Sequence, residues 1–406
     1  MSDSFEIRGI RTPAEMEAVA DLYGRAFQGY AWHYTRYKNI LQRLPKDQWR
    51  LSSTLWAKDG KPISHVRVCD RTMRLGAAML RVGGIGDVCT DPFRRKRGTM
   101  RRVFADVLQV LRDEPYDLSL LWGIPRFYDK FGFIVTLKSD SIQMPRAQVE
   151  RFASPWRGRR MRRDDAPAVR RLFQADLKTR DGGMERPDPA WVARANRNDE
   201  TRILLDGKVR AYYRCRREDD ALLLNEVCLG SRPTREAIEA VLADMVRVAK
   251  KDEKPHLRFD LSLGHPIARF CVADGCSIRR HTGHRGGGMG RIGNLDSLCQ
   301  RMVPEWERFL ALSTLAGWRG TLRLDTDMGR VDLTIARGSV HPRAAAGQAE
   351  ARLVAGQNAL TRLVLGLHDV ETARLLGEAR FTGDALPLAT VLFPERHLDI
   401  FEHDHF

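Results

Sequence analysis

The sequence predicts an α+β chain, with two mixed-sheet domains of one design in tandem and a smaller domain of strands and helices behind them. Three observations carry that expectation. At 406 residues and 43% hydrophobic content the chain is too long for one core and apolar enough for several. A strand, a Pro-marked helix start and an amphipathic helix near the amino end recur from Arg157 onward. After about residue 296 the pattern changes to a long helix followed by an alternating hairpin. The expected domains are residues 1–150, 151–294 and 295–406.

Element by element, "FEIRGIRTPAEMEAVADLYGRAF" gives a short strand, a Thr-Pro helix start and a helix with Met16, Val19, Ala20, Leu22, Tyr23 and Phe27 at helical spacing. An apolar strand over Val82–Thr90 enters the basic loop "DPFRRKRGTMRR", and Met100–Leu111 has helical period. The Pro- and Arg-rich "MPRAQVERFASPWRGRR" reads as a linker near residues 144–157. "RGRRMRRDDAPAVRRLFQADL" then repeats the opening pattern, and "VRAYYRCRREDDALLLNEVCL" reads as two strands around an "EDD" turn. "HTGHRGGGMG" reads as a glycine-rich loop closing this domain; His281 and His284 have metal-like spacing but no third ligand nearby. In the last part, "LCQRMVPEWERFLAL" is helical, "GTLRLDTDMGRVDLTIARGSV" is two strands around a Thr-Asp-Met-Gly turn, and helical runs lead to "IFEHDHF".

Composition bounds the function. The 68 Lys and Arg against 52 Asp and Glu, a formal charge of +16, favour anionic partners without separating a nucleic acid from a phosphorylated small molecule. Seven cysteines without a C-x-x-C pair suit reduced thiols and the cytosol. The amino end is acidic where a signal peptide would be basic and apolar, and no run reaches the roughly 18 apolar residues of a membrane helix, so a cytoplasmic protein off the membrane is expected. The run Arg157–Arg163 reads as a solvated face or a contact for an anionic macromolecule, and no aromatic-interleaved nucleic-acid module accompanies it.

Chemistry concentrates between residues 82 and 133. The basic loop is a strand-to-helix junction, where unpaired N–H groups and the positive end of the helix dipole suit a pyrophosphate. Gly98 removes the Cβ where a phosphate would approach. Arg95-Lys96-Arg97-Gly98-Thr99-Met100 resembles the R/Q-x-x-G-x-G/A pyrophosphate loop of the GNAT acetyltransferases, with Met100 departing from the usual Gly or Ala. Further on, "FYDKFGF", Phe127–Phe133, resembles that family's Y-x-K-x-G-F segment. The three-part layout and the terminal Phe are similar to the Eis (enhanced intracellular survival) family of N-acetyltransferases, whose R-R-R-G-L-L loop also lacks the third small residue. In the second copy "HPIARFCVADGCS" stands where "FYDKFGF" would be and has no Tyr.

The resemblance implies two GNAT-like mixed-sheet domains in tandem, the second degenerate, followed by a sterol-carrier-like α+β domain. It implies acetyl-CoA as cosubstrate and no metal. Val88, Cys89 and Thr90 would meet the pantetheine and acetyl group, Arg95, Lys96, Arg97, Gly98, Thr99, Met100 and Arg101 the phosphates, and Gly123 and Ile124 the other side. Tyr128 would be the general acid for the departing thiolate, with a packed core tyrosine as the bland alternative. The carboxylate of Phe406 would be the base, with Glu402 and Asp404 near enough to raise its pKa or to offer acidic walls, and His403 or His405 as partners in the role. A frayed end is the ordinary alternative. Cys89 beside the acetyl group could carry an acyl-enzyme, but a packed thiol suits the family's direct transfer better.

The acceptor implied is a primary amine of an aminoglycoside-like, polyamine or lysine compound, and the assembly implied is a homo-hexamer. A GNAT specific for one protein lysine, a noncatalytic acyl-CoA or lipid sensor and a nucleic-acid binder are the competing readings.

Overall fold

The computed structural model describes residues 5–186, 199–284 and 286–406. The acidic amino end before Phe5, and Arg285 of the glycine-rich stretch, lie outside them.

In the first part the chain makes β1 (Glu6–Arg8), α1 (Pro13–Ala26), α2 (Tyr30–Arg43), β2 (Ser52–Trp56), β3 (Pro62–Leu75), β4 (Ala78–Thr90), α3 (Thr99–Asp113), β5 (Leu118–Gly123) and β6 (Ile134–Val135). The Thr-Pro start works as read: Thr12 caps α1 by accepting from the Glu15 N–H at 3.2 Å, and Pro13 follows it. Helix α3 buries Val103, Phe104, Val107 and Leu111 on one face, against Leu55, Val66 and Ile85 among others. Each such side chain contributes about 1.5–3 kcal/mol by leaving water.

The next strands are β7 (Lys138–Pro145), β8 (Arg157–Arg160), β9 (Asp199–Asp206), β10 (Lys208–Arg217), β11 (Ala221–Cys228), β12 (His256–Phe259), β13 (Ser277–Thr282) and β14 (Gly287–Ile292). With them come the helices α4 (Arg146–Val149), α5 (Ala166–Leu177), α6 (Arg235–Lys251) and α7 (Pro266–Asp274). Two strands change places. The first sheet runs β1-β2-β3-β4-β5-β14-β6 and the second β13-β7-β12-β11-β10-β9-β8. Both sheets are antiparallel throughout except for one central parallel pair, β4 with β5 and β11 with β12.

This exchange corrects two expectations. "HTGHRGGGMG" is not a loop over its whole length: His281 and Thr282 end β13 in one sheet, and from Gly287 the chain is β14 in the other. Its glycines permit close approach. A Cβ on Gly286 would stand 2.8 Å from the Pro125 nitrogen, and one on Gly288 2.7 Å from the Leu137 Cβ. The segment near 144–157 is no free linker either, because Met144, Val149 and Trp156 are buried in the second core. Arg157–Arg160 is an edge strand, where arginines discourage pairing with another chain; Arg159 pairs with Asp165 and Arg160 with Glu200.

The last part holds α8 (Leu295–Ala311), the strands β15 (Arg319–Thr326), β16 (Gly329–Ala336), β17 (Ser339–Ala344) and β18 (Ala351–Ala355), then α9 (Gln357–Val364), α10 (Val370–Leu375), β19 (Ala379–Thr382) and α11 (Ala385–Leu392). Its sheet runs β17-β16-β15-β18-β19. Trp306 and Leu322 share one core with Leu80 and Val82 of β4, so this part packs directly behind the strand that leads to the site. No helix among the described residues is long and apolar enough to cross a membrane.

Candidate active site

Strands β4 and β5 pair only over Val82–Gly84 with Leu118–Leu120. Beyond Gly84, β4 stays with β3, but a bulge lies between the pairs Arg67–Gly86 and His65–Cys89. Asp87 in that bulge has φ +53°, and its carboxylate accepts from the Arg67 guanidinium at 2.5 Å with both side chains buried. The two strands therefore leave a wedge. On the far side β14 pairs with β5 through Trp122 and Gly123, so a strand from late in the chain supports the wedge wall.

At the mouth of the wedge lies the basic loop. Gly98, φ +75°, is the N-cap of α3 and gives no side-chain cap, and a Cβ there would meet nothing within 4 Å. The N–H groups of Thr99, Met100 and Arg101 thus open a helix whose end faces open space, flanked by exposed Arg95, Lys96, Arg97 and Arg101. Arg95 donates to the Ala26 carbonyl at 2.6 Å, which fixes the loop to the end of α1. Such an end suits a phosphate by backbone donors, dipole and side-chain charge together.

On the β5 side, Tyr128 lies over Gly123, where any Cβ would collide with its ring. The ring stands edge-on to Phe104 at 5.7 Å and to Phe127 at 4.8 Å. Burial pushes the phenol up to about 12, so it is protonated at neutral pH. Ile124, 65% exposed, marks the open side of the same wall.

On the β4 side Phe406 enters. A Cβ on Gly84 would collide with the Phe406 ring, and one on Gly86 would stand 3.1 Å from the Phe406 carboxyl carbon. The ring is 5.6 Å from Trp122, and His405 stacks on Trp122 at 3.6 Å. His405 is exposed, yet desolvation by the groups packed near it pushes it down to about 4.

Tyr128 and Phe406 therefore flank the wedge, with Gly123 and Ile124 on one wall and the Val88–Thr90 stretch of β4 on the other. Cys89 packs among Tyr37, Trp49 and Trp56, and burial pushes its thiol up, away from the thiolate a ping-pong step needs. Thr90 bonds Ser64 at 3.0 Å. Glu402, Asp404 and His403 do not line the wedge, because each is paired on the second sheet, so the acidic walls expected of Glu402 and Asp404 are absent there. Sequence reading missed Gly84, Gly86 and Trp122; three glycines inside one strand, Gly83, Gly84 and Gly86, are a signal of close approach that could have found the first two. Among the described residues no group of three His, Cys, Asp or Glu could hold a metal ion.

Residues 6–136 match the family of the Acetyltransferase (GNAT) domain. This segment is a GNAT acetyltransferase domain. It marks the chain as an acyltransferase, and the GNAT match stops just before β7 leaves for the second sheet. A GCN5-related N-acetyltransferase from Kribbella flavida is similar over 100% of this chain and 99% of its own at 16% identity, with a TM-score of 0.73. A protein of unknown function from Enterococcus faecalis V583, described as a probable N-acyltransferase, matches over 99% and 100% at 17% identity and a TM-score of 0.77. Eis1 from Mycobacterium abscessus matches over 99% and 100% at 13% identity and a TM-score of 0.68. At these identities the likeness is one of fold, and the GNAT domain sits within it. No curated protein matches the chain significantly.

Proposed function

We propose that the protein transfers the acetyl group of acetyl-CoA to a primary amine, of the aminoglycoside-like, polyamine or lysine class, by direct attack. What supports this is that Tyr128 lies against Gly123 of β5 and the Phe406 carboxyl carbon near Gly86 of β4, the strand that leads to the exposed amino end of α3.

Acetyl-CoA supplies an acyl group on a good leaving thiolate. The chain supplies the rest. Backbone N–H groups of Thr99 to Arg101 and the cations Arg95, Lys96, Arg97 and Arg101 hold its phosphates, while Val88, Cys89 and Thr90 of β4 and Gly123 and Ile124 of β5 flank its arm. The Phe406 carboxylate takes the proton an amine must lose in becoming an amide. The Tyr128 hydroxyl gives a proton to the departing sulfur; with a pKa of about 12, above the roughly 8.5 of a thiol, the transfer is uphill by itself, so it is coupled to cleavage of the C–S bond and the phenolate regains its proton from water.

The matched strand order of the two sheets supports reading the second as a GNAT-like copy, and the absence of a Tyr at the place of α7 supports calling it degenerate. A sterol-carrier-like last domain, a hexamer and a cytoplasmic location belong to the same reading through the Eis resemblance.

The test is thiol release from acetyl-CoA with a panel of aminoglycosides, polyamines and lysine peptides. Turnover that depends on Tyr128 and Phe406 supports the reading; acetyl-CoA binding without release for any amine refutes it and favours a sensor.

A further inference from the structure

Away from the wedge, a dense cluster of buried charge lies on the second sheet, where residues 402–404 dock. Glu226 on β11 and Asp199 on β9 have fully buried side chains. Arg186 reaches both oxygens of Glu226, at 3.1 and 3.0 Å, and donates from Nε to Asp404 at 2.6 Å. His403 lies between the two carboxylates, Nε2 3.1 Å from Asp199 and Nδ1 3.3 Å from Glu226. Glu402 meets Arg216 at 2.6 Å and accepts from Asn225 at 3.2 Å. Just upstream, the Arg180 guanidinium lies 3.8 Å over the buried Phe401 ring and donates to the Asp399 carbonyl at 3.0 Å.

Three consecutive residues, alternating acid, base and acid, thus each have their own partner. Buried Glu226 and Asp199 need cations, but that need alone does not require the cations and anions to come from one short stretch two residues from the chain end. A slip of one residue would bring like charges together, so the pattern selects one register. β11 holds in the second sheet the place β4 holds in the first. One sheet therefore grips the tail, and the other receives its end.

We propose that Arg186, Glu226, Asp199, His403 and Asp404 form a positioning device that sets the register of the tail and thereby holds the Phe406 carboxyl beside Gly86. This gives the second sheet a part in the reaction without a substrate of its own, and it rests on the reading of that carboxyl as the base.

The experiment uses the full chain, its Asp404→Asn and His403→Gln forms singly and together, and a chain lacking Phe406. Two quantities are read: the rate at which carboxypeptidase A removes Phe406, and kcat and KM for acetyl-CoA turnover. Because Asn and Gln keep close to the original side-chain size, the fold should persist, and the milder single forms serve if the double form does not fold. The expected result is release of Phe406 about tenfold faster or more, with kcat down about tenfold or more and KM for acetyl-CoA unchanged. Unchanged kcat in folded Asp404→Asn and His403→Gln forms, where loss of Phe406 abolishes turnover, overturns the positioning role and spares the base reading. If loss of Phe406 leaves turnover intact, the base reading falls, and unchanged carboxypeptidase rates would then overturn the positioning role as well.

Discussion

The carboxyl carbon of Phe406 lies 3.1 Å from the point a Cβ on Gly86 would occupy, beyond the last residue of β4 that pairs with β5. Because Phe406 enters a wedge in the first sheet from more than 300 residues further along the chain, the geometry is sensitive to small additions there.

Gly84→Ala adds one methyl where the Phe406 ring lies. Gly84 has no left-handed backbone to protect, and the tail yields more easily than the sheet. We expect kcat to fall about 100-fold, as for a reacting group displaced by about an ångström, with the melting temperature little changed. Turnover kinetics beside a thermal melt check this.

Tyr128→Phe removes a hydroxyl whose pKa is raised by burial of the residue. Turnover should drop about 100-fold or more, while stability holds, because the hydroxyl leaves with no partner stranded. In the parent the phenol stays protonated below its pKa of about 12, so its loss of acid function appears only as pH rises towards that value. A core-packing role predicts that kcat is retained, since Phe keeps the ring contacts with Phe104 and Phe127.

Gly98→Ala places a Cβ at φ +75°. The strain is worth about 1–2 kcal/mol, and relaxing it turns the first N–H groups of α3 away from the phosphates. The expected signature is a raised KM for acetyl-CoA with KM for the amine unchanged, measured by varying each substrate in turn.

His65 is fully buried between Thr54 at 2.7 Å and Tyr37 at 2.5 Å, and desolvation lowers its pKa to about 3. It is neutral when folded and takes up a proton on unfolding below about 6.5. Its contribution is therefore whole above pH 6.5 and is lost as pH falls towards 3. Denaturation free energies between pH 4 and 6.5 should slope less in His65→Gln than in the parent; equal slopes would contradict this.

Local chemistry was legible in the sequence: the Thr12-Pro13 start, the face of α3 and the strand into the basic loop. The exchange of β7 and β14 was not, because a strand carries no mark of which sheet it will join. Gly286 and Gly288 show only that something comes close. The grip on the tail was invisible for a related reason. Asp404 and Arg186 are 218 residues apart, and charges in sequence do not announce distant partners. Reading Glu402 and Asp404 as acidic walls followed from their nearness to the terminus, and pairing across the second sheet overrode it.

The most direct test of the central claim is kcat for an intact chain whose Phe406 carboxylate is converted to the amide by semisynthesis, which keeps the ring against Gly84 and removes only the charge. The account predicts a fall of about 100-fold or more with acetyl-CoA affinity unchanged. Turnover equal to that of the free acid would contradict it.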